Sequence, residues 1–211
     1  MSTARERILN KLRAAQQPFT DVPPRTEYRR YVPDVPLENL TGRFIEETRK
    51  LGCKVSLHDD AESAIDQLMT ILNGDKALIG WDFSQIPLTG LSAALESAQV
   101  AVIPPSAGKQ AAATARVGVS GVTAALASTG SLILTSGEGR PRGASLLPPL
   151  HVAVVAQGQI MPDFETWATT HPDFRAASNH VVITGASRTA DIAMEVVMGV
   201  HGPGQVHILI V

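Results

Sequence analysis

The apolar positions change period along the chain, and the changes mark out its elements. In residues 3–17, Ile8, Leu9 and Leu12 share one helical face, and Thr3 with Glu6 fits a capping box. Pro18 ends that helix. Residues 18–36 hold Pro18, Pro23, Pro24, Pro33 and Pro36 with Arg25, Arg29 and Arg30, and no period survives them. That stretch is expected to be an extended arm.

From residue 37 helical and strand periods alternate. Leu37, Leu40, Phe44, Thr48 and Leu51 predict a helix over 37–51, stopped by Gly52. A strand over 53–57, a helix over 61–72 capped by Asp59 or Asp60, and a strand over 76–80 follow. Next come a helix over 88–97 and a strand over 100–103, closed by Pro104 and Pro105. Residues 106–115 read as helical, 117–119 as a strand, and a helix is expected from Thr123. Strands over 131–135 and 151–155 enclose a loop rich in Gly and Arg. Pro162 suits the first turn of a helix through Thr170. The chain ends with a strand over 180–184, a nearly all-round apolar and hence buried helix over 189–198, and a strand over 206–211. Such alternation implies an α/β domain over 36–211, a mainly parallel sheet with helices on both faces. Residues 1–35 add the helix and arm, which would pack on this domain or on a second copy in a homo-oligomer.

Composition narrows the function classes. Net charge is −2 and aromatics are 4 %, which excludes electrostatic or stacking recognition of nucleic acid. The lone cysteine, Cys53, excludes an internal disulfide, an iron–sulfur cluster and a thiolate zinc site, so no metal and no cofactor are expected. No apolar run approaches ~20 residues and the start of the chain is charged, so the expected location is cytoplasmic, without a membrane span.

In parallel sheets ligands bind outside the carboxyl ends of the strands. Four loops are expected there: 104–110 (PPSAGKQ), 128–130 (STG), 136–147, and 185–191 (GASRTAD). In the third, Gly137, Gly139 and Gly143 can turn N–H groups toward an anion, and Arg140 and Arg142 supply charge and paired donors. The bland alternative is a surface hairpin with solvated arginines. In the fourth, Ser187, Arg188 and Thr189 stand at an expected helix start, and a capped helix with a solvated arginine is the alternative. His201, in HGPG, is the histidine whose turn would face the cleft. Lys109 precedes Gln110, so the P-loop spacing is absent, and no strand–helix G-x-G-x-x-G, HExxH or G-x-S-x-G occurs. His151, His180 and His207 read as structural, and Cys53 as a small buried hydrophobe.

The run ASTGSLILTSGEGRPRGASLLPPLHVAVV, followed by ITGASRTADIAMEVVMGVHGPGQVHILIV, resembles the lactate utilization protein C family, also called the LUD-domain family. The resemblance is densest from residue 118 onward. It implies a fold similar to the NagB/RpiA/CoA-transferase-like class, close to 5-formyltetrahydrofolate cyclo-ligase. It implies a role in oxidising L-lactate to pyruvate beside partner proteins that carry iron–sulfur centres. Related sequences read A-E-T/S-G where this chain has Ala127-Ser128-Thr129-Gly130, and serine forms no glutamyl thioester. The expectation is therefore an accessory, non-redox subunit that binds a small anionic metabolite, with no catalytic residue assigned. Thr129, Gly130, Gly139, Arg140, Arg142, Ser187, Arg188, Thr189 and His201 would line one strand-end cleft. The alternatives are an ATP/folate enzyme resembling the cyclo-ligase, and a non-catalytic metabolite-sensing or bridging module.

Overall fold

The apolar runs become strands covered on both faces, as their composition requires. The computed structural model describes residues 3–15, 37–171, 177, 179–189 and 197–211. The chain divides into two units, Met1–Pro33 and Asp34–Val211. In the first, α1 (Ala4–Ala15) begins with the expected capping box: Thr3 N donates to Glu6 Oε2 at 2.7 Å and Glu6 N to Thr3 Oγ1 at 3.3 Å. None of its residues is buried.

The second unit opens with α2 (Leu40–Lys50), β1 (Lys54–Leu57), α3 (Ala61–Leu72) and β2 (Ala77–Gly80). Then come α4 (Leu91–Ser97), β3 (Ala101–Val102), α5 (Gly108–Ala112), β4 (Val117–Ser120), β5 (Ala124–Leu126) and β6 (Ser131–Thr135). After α6 (Gly143–Leu146) follow β7 (Leu150–Val155), β8 (Ile160–Met161), α7 (Phe164–Thr170) and β9 (His180–Ile183). A short ribbon, β10 (Arg188–Thr189) with β11 (Val197–Met198), precedes β12 (Gln205–Ile210).

Six strands form a parallel sheet in the order β1-β12-β7-β4-β2-β3. Val117, Val119, Val152 and Val154 bury one face at its centre. Gly118, Ser120 and His151 alternate onto the other face, where α6 lies against Gly118. α3 borders a cavity with Ser56, His207 and Leu209, which alternate away from α6. Helices thus cover both faces, as expected. A second, four-stranded sheet has the order β8-β5-β6-β9 and packs Ala124, Leu126 and Ile133 on Trp167.

Several local expectations are corrected. The helix expected from Thr123 is β5. Its Ala and Leu favour a helix locally, but all three residues are buried and pair with β6, so long-range packing overrides propensity. The strands expected over 131–135 and 180–184 exist but belong to the second sheet. The helix expected over 189–198 fails at both ends: Thr189 pairs with Val197 and Arg188 with Met198, antiparallel and exposed at Val197 and Met198. Backbone pairing explains this, since Gly199 N donates to Ser187 O at 2.9 Å and Ser187 N to Pro203 O at 2.9 Å. The middle of that segment and the expected arm over 18–36 lie outside the described residues. Leu37 is exposed, because Asn39 caps α2 after it. Asp163, not Pro162, starts α7, its carboxylate accepting from Thr166 N at 2.7 Å.

Candidate functional site

Two of the four expected loops meet at the carboxyl edge of the sheet. Asp82, just past β2, donates its N–H to the Gly139 carbonyl at 2.7 Å and holds the Gly/Arg loop there. The chain then runs through Pro141 into α6, and Pro104, Gly108 and Ala112 come from the 104–110 loop and α5. Together with Ile79 and Ile103 they enclose a mainly apolar cavity of about 240 Å³. Arg140 and Arg142 flank the lining residue Pro141. Arg140 is half-buried and folds over Gly137. Its Nε is buried and meets no acceptor among the described residues. Arg142 is exposed, and its carbonyl accepts from Ser145 N at 3.2 Å, which starts α6.

The other two loops gather around the last turn of α2, at the amino edge. Gly130 takes a left-handed φ of 64° and packs on the Thr48 and Glu47 backbone, where a Cβ would come within 2.6 Å of Thr48 N. Thr129 Oγ1, Ser131 Oγ and Thr184 Oγ1 form a chain of hydroxyls with 2.8 Å spacings. Arg188 Nη2 donates to the Leu51 carbonyl at 2.7 Å. Ser187 Oγ accepts from the His201 backbone N–H at 3.3 Å, and Thr189 follows in β10. His201 itself is exposed.

The single cleft expected from the sequence is therefore two places. Gly139, Arg140 and Arg142 lie at the carboxyl edge. Thr129, Gly130, Ser187, Arg188, Thr189 and His201 lie on the amino side. β6 runs from one group to the other, five residues or roughly 16 Å. The cause is topological: β6 is not a strand of the parallel sheet, so the turn before it is not at a carboxyl end. The sequence does not single out Lys54, and His207 reads there as structural. They line a cavity with Arg188 because β1 and β12 are neighbours, a pairing between distant parts of the chain. The nearest sequence signal was a lysine and a histidine inside strand runs.

Cys53 is buried and its thiol is pushed up by desolvation, opposed by the Arg188 charge, so it is a poor nucleophile. Among the described residues no group of three His, Cys, Asp or Glu side chains is placed to hold a metal ion, and no helix is long and apolar enough to cross a membrane.

Fold and loops define an α/β protein with a six-stranded parallel sheet and arginine-bearing loops at both sheet edges. The chain belongs to the LUD domain family, whose model matches residues 41–211, and its relatives place it with the lactate utilization protein C group. It is 31 % identical over 154 residues to "Lactate utilization protein C" of Halalkalibacterium halodurans, covering 69 % of this chain and 66 % of that protein, just under two thirds of its length. To the protein of the same name from Macrococcus caseolyticus it is 29 % identical over 195 residues, covering 85 % of this chain and 83 % of the relative. The crystal structure of a DUF162 family protein from Deinococcus radiodurans shares the fold, with a TM-score of 0.62 at 18 % identity over 81 % of this chain and 95 % of that one.

Proposed function

We propose that this chain is an accessory, non-redox component of a cytoplasmic system oxidising L-lactate to pyruvate, and that its carboxyl-edge cavity binds a small carboxylate. The relatives' name supplies the pathway. One observation carries the binding reading: two loops border a small cavity whose lining residue Pro141 stands between two arginines that pair with no carboxylate among the described residues. The apolar wall of Ile79 and Ile103 suits a methyl group, and a guanidinium suits the carboxylate. An anion there also offsets the desolvation of Arg140 Nε. With Cys53 as its one thiol the chain offers no iron–sulfur ligand set, and in this reading iron–sulfur partner proteins carry the electrons.

Calorimetric titration with L-lactate and pyruvate tests this. Each charge-assisted bond is worth ~1.5–3 kcal/mol, so the double variant Arg140→Ala/Arg142→Ala loses measurable binding. Unchanged affinity in that variant would falsify the site.

A second reading is favoured by α1, whose Ile8, Leu9 and Leu12 form an apolar stripe left exposed. In this reading residues 1–35 bridge to a partner protein. Deleting them is expected to abolish co-purification with the iron–sulfur partners while carboxylate titration is unchanged. Intact assembly after the deletion refutes the bridging role.

A further inference from the structure

At the amino edge of the sheet three basic side chains line one cavity. Lys54 opens β1, His207 is in β12 and Arg188 begins β10. With Gly52, Gly204 and Gln205 they border about 190 Å³. The parallel register sets Lys54 beside His207. Arg188 lies over Gly52 on the same cavity wall, where a Cβ would come 2.8 Å from Nη2 and the φ of 79° suits glycine. Nη2 donates to the Leu51 carbonyl at 2.7 Å. That bond fixes the guanidinium and leaves most of its N–H donors unspent. Among the described residues no Asp or Glu lines the cavity, and neither Lys54 nor Arg188 pairs with a carboxylate. Arg116, another cation acting on His207, is already paired with Asp75 at 2.7 Å.

We propose that this cavity is a second anion site, which takes a dianionic phosphate group, free or carried on a small metabolite. Charge decides the class. A monocarboxylate brings one negative charge to two permanent cations and an imidazole. A phosphate brings two charges and enough oxygens to meet guanidinium, ammonium, imidazole and the Gln205 amide together. The site is built from three elements and stands apart from the carboxyl-edge cavity, so it does not depend on the carboxylate reading above. Burial, with the charges of Lys54 and Arg116, holds the His207 imidazole below its usual range, so it is uncharged at neutral pH. The α3 residues beside it, Gln67 and Thr70, add no charge. A bound dianion favours its protonation.

Titration of the full chain with inorganic phosphate, followed by phosphorus NMR, tests the site. The wild type binds. Arg188→Ala and Lys54→Met each weaken binding by about tenfold or more. Arg188→Ala also removes the donor to Leu51 and can disturb the fold. Lys54 is an exposed strand side chain, and its variant carries the test alone. Arg140→Ala/Arg142→Ala leaves phosphate binding unchanged. The proposal is overturned if millimolar phosphate does not bind, if Lys54→Met keeps full affinity, or if the Arg140/Arg142 variant abolishes binding. Displacement of phosphate by a small phosphate monoester at lower concentration assigns a phosphorylated metabolite. Failure to displace assigns free phosphate. Both support the dianion site. Sulfate stays dianionic through the range where imidazole titrates. Its binding is expected to tighten as pH falls, and His207→Gln flattens that dependence. A dependence that survives in the variant overturns the place of His207 in the site.

Discussion

Gly118→Ala is expected to cost the fold about 4 kcal/mol or more, well above the usual effect of a single substitution. Gly118 sits in β4 with paired strands on both sides, Ile79 of β2 and His151 of β7. The strand has no room to shift sideways. A methyl group at residue 118 would overlap the Ala144 carbonyl oxygen and come 2.9 Å from both Ala144 C and Pro148 Cγ. Two of those atoms are α6 backbone, not the flexible end of a side chain. Overpacking a core against movable side chains costs ~1–3 kcal/mol, and here a helix must be lifted off the sheet. Pro141, Gly143 and Leu147, which line the carboxyl-edge cavity, move with it. Loss of carboxylate binding should accompany the loss of stability. Urea unfolding of the variant measures the effect. Gly158→Ala is the control, because nothing lies within 4 Å of its added methyl. A Gly118 variant within 1 kcal/mol of the wild type would show that α6 is not seated on β4.

The same contact shows what the sequence could and could not disclose. The runs at 151–155 and 206–211 are apolar but for one histidine each and follow closely on Pro149 and Gly204, so they read as buried parallel strands and are β7 and β12. Their neighbours were not legible. That β12 lies between β1 and β7 depends on packing between distant segments, and that neighbour sets Lys54 against His207. β5 was misread because its three residues carry helix-favouring side chains, while the pairing that makes them a strand comes from β6. The site was half legible for the same reason. Gly139, Arg140 and Arg142 lie at a carboxyl end of the parallel sheet because Asp82 past β2 holds their loop, not because β6, the strand they follow, belongs to that sheet. Thr129 and Gly130 were assigned to the wrong edge because the strand they precede belongs to another sheet. Residue type suggests anion chemistry, and sheet membership decides which of those residues lie together.

Acid is expected to destabilise this protein through His151, well before its carboxylates titrate. His151 lies in β7, between β12 and β4, and is fully buried. Its Nε2 is 2.8 Å from Ser120 Oγ, and its Nδ1 has no partner among the described residues. Desolvation pushes its pKa down from 6.5 to about 4. The imidazolium would need a second acceptor for Nδ1–H, and the apolar surroundings offer none. The folded state therefore holds a neutral ring, while the unfolded chain takes up a proton near pH 6.5. Between those values the unfolded state binds more protons, so stability falls as pH falls. The contribution is fully present above the unfolded value and lost as pH approaches the folded one. About 2.5 units at ~1.4 kcal/mol each give a loss on the order of 3 kcal/mol. His207, also held low, adds to the same slope, and the lowered Glu46, Asp60 and Asp82 act only in more acid solution. The difference between wild type and His151→Gln isolates the buried ring, because glutamine keeps a partner for Ser120 and does not titrate. Unfolding free energies from urea curves at a series of pH values should show a steep wild-type decline through the window and a shallower one in the variant. Parallel slopes would mean that His151 is not the group whose protonation opens the fold.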